Sequence, residues 1–137
     1  MQINPHLSFD GRCEEAFVVY ERILGGKITM MLPYGKMPGG YQGPPELANR
    51  IMHARLVVKG IPIMGADAPP DRYKPAAGFM VNIGVGEPAE AERVFAGLAD
   101  GGTVVMPMQG TFWAHRFGML IDKFGIPWMV NCEKAAA

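Results

Sequence analysis

The chain is 137 residues long, enough for one real core and too short for two independent ones. Its 49% hydrophobic and 19% charged composition is that of an ordinary globular protein, and 13 Lys and Arg balance 13 Asp and Glu with no basic run. That balance gives no electrostatic support to a nucleic-acid or acidic-membrane partner, and no apolar stretch approaches the roughly 20 residues of a spanning helix.

Ile3 to Phe9 reads as a short first strand, with Leu7 and Phe9 on one face and His6 and Ser8 on the other. Asp10-Gly11 punctuates it. A helix is expected from about Cys13 to Leu24, because Ala16, Phe17, Tyr20, Ile23 and Leu24 recur at the spacing of one apolar stripe. Gly25-Gly26 stops it, as a left-handed cap prefers. Lys27 to Tyr34 follows as a strand. Gly35 to Pro45 then holds four glycines and three prolines, and is expected to be a long loop or a lid over a site. Ile51 to Lys59 and Ile61 to Ala66 read as a hairpin of strands turning at Gly60. Asp67 to Ala77, with Pro69, Pro70 and Pro75, has the composition of a linker.

The second half repeats the first. Gly78 to Val85 is a strand, and Pro88 suits the first turn of a helix running to Ala99. Thr103 to Met106, Phe112 to Ile121 and Ile126 to Cys132 are strands, the last after a turn at Asp122-Lys123-Phe124-Gly125. Ala16 recurs as Ala91, Val19 as Val94, Tyr20 as Phe95, and Gly25-Gly26 as Gly101-Gly102. A duplicated helix–glycine–strand unit of this size is expected to close one shared core or cleft between its copies. Few long helices and many strands argue for two curved sheets, each with a helix on its outer face.

Two cysteines, Cys13 and Cys132, make no disulfide framework. Cys13 stands at a helix start, where a dipole can activate a thiol, but no His or Lys neighbours it and the expectation is a small buried residue. The 11 methionines fall mostly in or beside strands, which suits an adaptable apolar pocket. The N-terminus, Met1-Gln2-Ile3-Asn4-Pro5, lacks the basic and long apolar regions of a signal peptide, so a cytoplasmic location is expected.

Several motifs in order carry a family resemblance. They are Leu7-Ser8-Phe9-Asp10-Gly11 before Glu15-Ala16-Phe17, Tyr20 with Leu24-Gly25-Gly26, Ile51-Met52-His53-Ala54, Met64-Gly65-Ala66-Asp67, Thr111-Phe112-Trp113-Ala114, and Asp122-Lys123-Phe124-Gly125-Ile126-Pro127-Trp128. Together they resemble the PhnB-like branch of the vicinal oxygen chelate superfamily, which includes glyoxalase I, bleomycin and fosfomycin resistance proteins and extradiol dioxygenases. The resemblance implies an α+β fold, two βαβββ modules of about residues 1–67 and 78–134 joined by a linker over 68–77, with curved mixed sheets around a shared cleft. Some members of this branch carry a label of ubiquinone-pathway methyltransferase. The glycine pairs here follow helices, unlike the glycine-rich strand-to-helix turn that a nucleotide-type methyl donor needs.

The resemblance also implies metal-ligand positions on the first and last strands of each module. Here they hold His6, then Met64 or its neighbours Ile63 and Gly65, then Phe79 or Met80, and Met129 in the place of a metal-binding Glu. One imidazole among thioethers argues against a divalent ion, so no cofactor is expected. A divalent metal held by His6 with His53 or His115 is the competing expectation. On the strand around His53, alternation sets His53 and Arg55 opposite Met52, Ala54 and Leu56, facing the cleft or solvent. Trp113 and His115 share a face, as a stacking platform or as a packed Trp. Asp67 is expected to cap a turn or helix, with a carboxylate for the cleft as the other reading, and Asp122 with Gly125 is turn chemistry.

The expected site is therefore His6, His53, Met64, Met80, Trp113, His115 and Met129, binding a small, partly hydrophobic molecule in a homodimeric protein. The alternative is a metal-dependent lyase, isomerase or dioxygenase of the glyoxalase type. A regulatory or structural dimer is a third class.

Overall fold

A computed structural model describes residues 1–134. The chain forms two units, Met1–Lys74 and a second beginning at Pro75. The first contains β1 (His6–Phe9), α1 (Cys13–Leu24), β2 (Lys27–Pro33), β3 (Ile51–Val58) and β4 (Ile61–Asp67). The second contains β5 (Val81–Gly84), α2 (Pro88–Ala99), β6 (Thr103–Gln109), β7 (Ala114–Ile121) and β8 (Pro127–Glu133). Each unit is a four-stranded mixed sheet, in the orders β1-β4-β3-β2 and β5-β8-β7-β6. In each, the first strand pairs parallel with the last and the other pairs are antiparallel. The two modules thus share one topology, as the duplicated sequence predicts.

In the first unit, Leu7, Phe9, Ala54, Leu56 and Ile63 are buried with Ala16, Phe17, Tyr20 and Ile23 of α1. Phe9 meets Phe17 edge to face at 6.1 Å between ring centres. Gly65 lies beneath that ring: a Cβ there would stand 2.7 Å from Phe17 Cε1. The second unit repeats the device, since a Cβ on Gly118 of β7 would stand 2.7 Å from Phe95 Cε2 of α2. Leu120, Trp128, Val130 and Cys132 are buried along with Ala91, Val94, Phe95 and Leu98.

Each glycine doublet performs two tasks. Gly25 and Gly101 both have φ of 75°, the left-handed region open to glycine. The second glycine is needed for close approach. A Cβ on Gly26 would lie 2.6 Å from the Val57 carbonyl oxygen, and one on Gly102 would collide with the Ile121 carbonyl oxygen.

Several boundaries differ from the sequence reading. β1 begins at His6, not Ile3, because Pro5 has no N–H for a ladder and contributes only its carbonyl, to Met64 N at 3.0 Å. β2 ends at Pro33, where Tyr34–Lys36 turns as a 3-10 helix held by Tyr34 N donating to Arg50 O at 2.9 Å. β3 stops at Val58, ahead of a turn in which Lys59 has φ of 49° and Gly60 φ of 80°. β4 runs on through Asp67, one residue past the expected end at Ala66. β5 begins at Val81, after Gly78 with φ of 79°. β6 continues to Gln109 through Pro107, which an edge strand tolerates. β7 begins at Ala114, because Thr111 N donates to Ala114 O at 3.0 Å and Thr111 Oγ1 accepts from Ala114 N at 3.0 Å, closing a turn over Phe112 and Trp113. β8 spans Pro127 to Glu133.

Candidate functional site

Each sheet has one face under its helix and one without a helix. On the helix-free face of the first sheet, strand register aligns His6 with Met64, Met64 with Arg55, and Arg55 with Met30. His6 is exposed, Met64 and Arg55 are half-buried, and Met30 is exposed. The next positions along the same face are Ser8 beside Ala66 on β4 and Leu32 beside His53 on β3. His6 and His53 do not meet across adjacent strands, because β4 lies between β1 and β3.

The second sheet carries the corresponding row in a softer form. Asn82 aligns with Met129, Met129 with Met119, and Met119 with Met106. All three methionines are half-buried. The adjoining row is Gly84, Asn131, Phe117 and Gln109. Trp113 stands in the turn before β7 with its ring edge-on to Phe117 at 5.3 Å and to Phe112 at 4.8 Å. His115 is exposed and falls in the register shift between Ala114 and Arg116, without a partner position on β8.

Of the residues expected from sequence, His6 with Met64 are brought together, and Met129 sits in the middle of the methionine row. The residue beside Met129 is Asn82, not Phe79 or Met80. Met80 lies two positions earlier, ahead of β5 and half-buried. Met106, Met119, Phe117 and Asn131 were not singled out by sequence. The methionines were visible, but bulges between Val104 and Met106 and between Met106 and Gln109 hide which of them align.

This donor set does not fit a divalent ion. In the first unit the positions aligned on the first and last strands hold an imidazole and a thioether, His6 and Met64, in the second an amide and a thioether, Asn82 and Met129, and thioethers suit soft Cu(I). Among the described residues, no group of three or more His, Cys, Asp or Glu is placed to hold a metal ion.

The buried acids serve structure. Asp67 is 1% exposed, and its Oδ1 accepts from Gly11 N at 2.8 Å and Cys13 N at 3.0 Å while Oδ2 accepts from Ile51 N at 2.8 Å. It caps α1 from the far end of β4, which explains why Arg12 at the N-cap makes no side-chain cap bond. Asp122 Oδ1 accepts from Phe124 N at 2.8 Å and Ile126 N at 3.0 Å, the expected turn, and Oδ2 accepts from the buried Trp128 Nε1 at 2.8 Å.

Cys13 is fully buried, and that burial pushes its thiol well above the ordinary range, with Asp67 and then Glu14 acting in the same direction. A thiol held protonated in this way is poorly suited to nucleophilic attack. The sign follows from the shift: a value raised on folding contributes stability that is fully present below about pH 8.5 and is lost as the pH rises. Wild-type stability should therefore fall above about pH 8.5, more steeply than that of a Cys13→Ala variant by up to about 1.4 kcal/mol per pH unit. Urea unfolding at stepped alkaline pH reads this, and parallel curves for the two proteins would contradict it.

No helix among the described residues is long and apolar enough to cross a membrane. The family model described as 3-demethylubiquinone-9 3-methyltransferase matches residues 1–131. The chain is similar to protein YjdN of Escherichia coli (strain K12), 37% identical with 98% of this chain and 97% of that protein covered. It is also similar to the crystal structure of protein PA1353 from Pseudomonas aeruginosa, with 46% identity, a TM-score of 0.90, and 98% and 99% of the two chains covered. A putative 3-demethylubiquinone-9 3-methyltransferase, PhnB protein, from Bacillus cereus shares the fold at 24% identity and a TM-score of 0.78, covering 96% and 98%. So does a glyoxylase/bleomycin resistance protein/dioxygenase domain from Frankia sp. EAN1pec, at 14% identity and a TM-score of 0.66, covering 98% of both chains. The chain belongs to the family described as 3-demethylubiquinone-9 3-methyltransferase, and it has the glyoxalase/bleomycin resistance/dioxygenase fold.

Proposed function

We propose that this protein binds a small, partly hydrophobic molecule on the helix-free faces of its sheets. The observation that carries the reading is the aligned row Met106, Met119 and Met129, half-buried side chains on a sheet face that no helix of their unit covers. Flexible, polarisable thioethers conform to ligands of varied shape and contribute apolar area. Phe117 and Trp113 extend the same face with aromatic rings. On the first unit, taken by itself, the helix-free face is more polar, with His6, His53 and Arg55.

Methyl transfer, suggested by the family's description, finds no support in the chain's glycines. Gly25-Gly26 and Gly101-Gly102 follow helices and feed close strand contacts, whereas a nucleotide-type methyl donor is cradled by a glycine-rich turn leading from a strand into a helix. The metal-dependent alternative draws no support from the donor set given above.

Toluene, a wholly apolar probe, tests the reading. In the folded protein it should shift the methionine methyl resonances of this row in a saturable manner. Joint substitution Met119→Glu and Met129→Glu should weaken that response at least about tenfold, because carboxylates desolvate poorly against an apolar ring. An unchanged response in the double variant would count against the site.

A further inference from the structure

We infer that Asn131 supplies the hydrogen-bond acceptor that orients the ligand, and that the ligand is a planar ring carrying an N–H or O–H donor. The inference rests on the ligand-binding reading above and names the ligand's chemistry. Asn131 occupies the helix-free face of β8, in register with Gly84 of β5 on one side and Phe117 of β7 on the other. Its neighbours along the strand, Val130 and Cys132, are fully buried on the opposite, α2 side.

Three observations converge on this amide. First, Asn131 is 8% exposed, yet its Oδ1 is a buried oxygen with no hydrogen-bond donor among the described residues. Buried polar side-chain atoms are ordinarily paired, so an orphaned acceptor calls for a partner. Second, the amide's orientation is set. Its Nδ2 donates to Glu133 Oε1 at 3.0 Å, and a carboxylate accepts only from the NH2 end, so Oδ1 is the atom left for an outside donor. Third, the aligned position on β5 leaves open space on this face. A Cβ built on Gly84 would meet nothing within 4 Å, while Phe117 and Trp113 stand as aromatic walls on the other flank.

An acceptor with space on one side and ring edges on the other matches a flat molecule with a donor on its rim, such as an N–H heteroarene or a phenol. An anionic group is disfavoured, since Oδ1 carries partial negative charge and Glu133 adds a full one beside it.

Indole and 1-methylindole are the probes, because they share a ring system and differ in the N–H donor. Each is titrated into the 15N-labelled full chain, following the side-chain amide of Asn131 and the indole N–H of Trp113. Both should shift Trp113. Indole alone should shift the Asn131 amide strongly and should bind about fivefold more tightly. The substitution Asn131→Leu should bring indole down to the affinity of 1-methylindole, whereas Trp113→Ala should weaken both probes alike. The comparison in the wild-type protein needs no variant to fold. Equal affinity for the two probes, or an indole preference that survives Asn131→Leu, would overturn the inference. If toluene still shifts Met106, Met119 and Met129 in that case, the binding reading stands and only the role of Asn131 falls. No response on the helix-free face to any of the three probes would overturn both.

Discussion

Replacing Asp67 with Ala should lower the free energy of unfolding by about 3–5 kcal/mol, a large share of a small protein's stability. The carboxylate gathers Gly11 N, Cys13 N and Ile51 N into one buried site, joining the β1–α1 turn, the start of α1 and the start of β3. Truncation leaves these donors without their acceptor, and each such loss in a buried place costs about 1–3 kcal/mol. The backbone at the same residue is also engaged, with Tyr34 Oη donating to Asp67 O at 3.0 Å, but that bond survives the substitution. Asp67→Asn keeps one acceptor oxygen and sets an NH2 group against an N–H, so it should cost roughly half as much. Urea unfolding followed by circular dichroism measures both. A loss below about 1 kcal/mol for Asp67→Ala would mean that the three bonds are individually dispensable.

Trp128→Ala should be comparably severe, costing about 3–5 kcal/mol. Trp128 is fully buried, aligned with Val81 on one side and Leu120 on the other. Removing it opens a cavity under α2 that the surrounding sheet cannot fill. Its second contribution is separable. Nε1 donates to Asp122 Oδ2 while Asp122 Oδ1 holds the turn at Phe124 and Ile126. Trp128→Phe retains most of the ring volume and loses that donor, so it should cost about 1.5–3 kcal/mol, the range for a hydrogen bond to a charged group. The ordering of the two variants is the check, and a Phe variant as unstable as the Ala variant would mean that the bond outweighs the packing.

The helices were legible because their cause is local. Apolar spacing in Glu15-Ala16-Phe17-Val18-Val19-Tyr20 and the glycine doublet after it define α1 to the residue, and the repeat carries the same logic to α2. Strand ends were less legible, since they depend on neighbours: Pro5 and Thr111 decide where β1 and β7 begin through bonds to distant or turn-forming partners. The role of Asp67 could be narrowed to a cap but not assigned, because its partners lie 16, 54 and 56 positions away. The candidate site was half legible. Alternation placed His6, His53 and Arg55 away from α1, and composition drew attention to methionine. What alternation cannot supply is register across bulges, so Met106 and Met119 emerged only once β6 and β7 were aligned. Asn131 carried no signal in sequence, as an asparagine near a strand end ordinarily satisfies itself with backbone or water.

The central claim is that the methionine row on the second sheet is a ligand-binding surface, and methyl-resolved NMR of 13C-methionine-labelled protein with toluene tests it most directly. Met106, Met119 and Met129 should move together along one saturable binding curve, while Met1, exposed ahead of the first strand, and Met52, on the α1 side of β3 by alternation, stay in place. Shifts spread evenly over all assigned methyls, or confined to Met1 and Met52, would contradict the account.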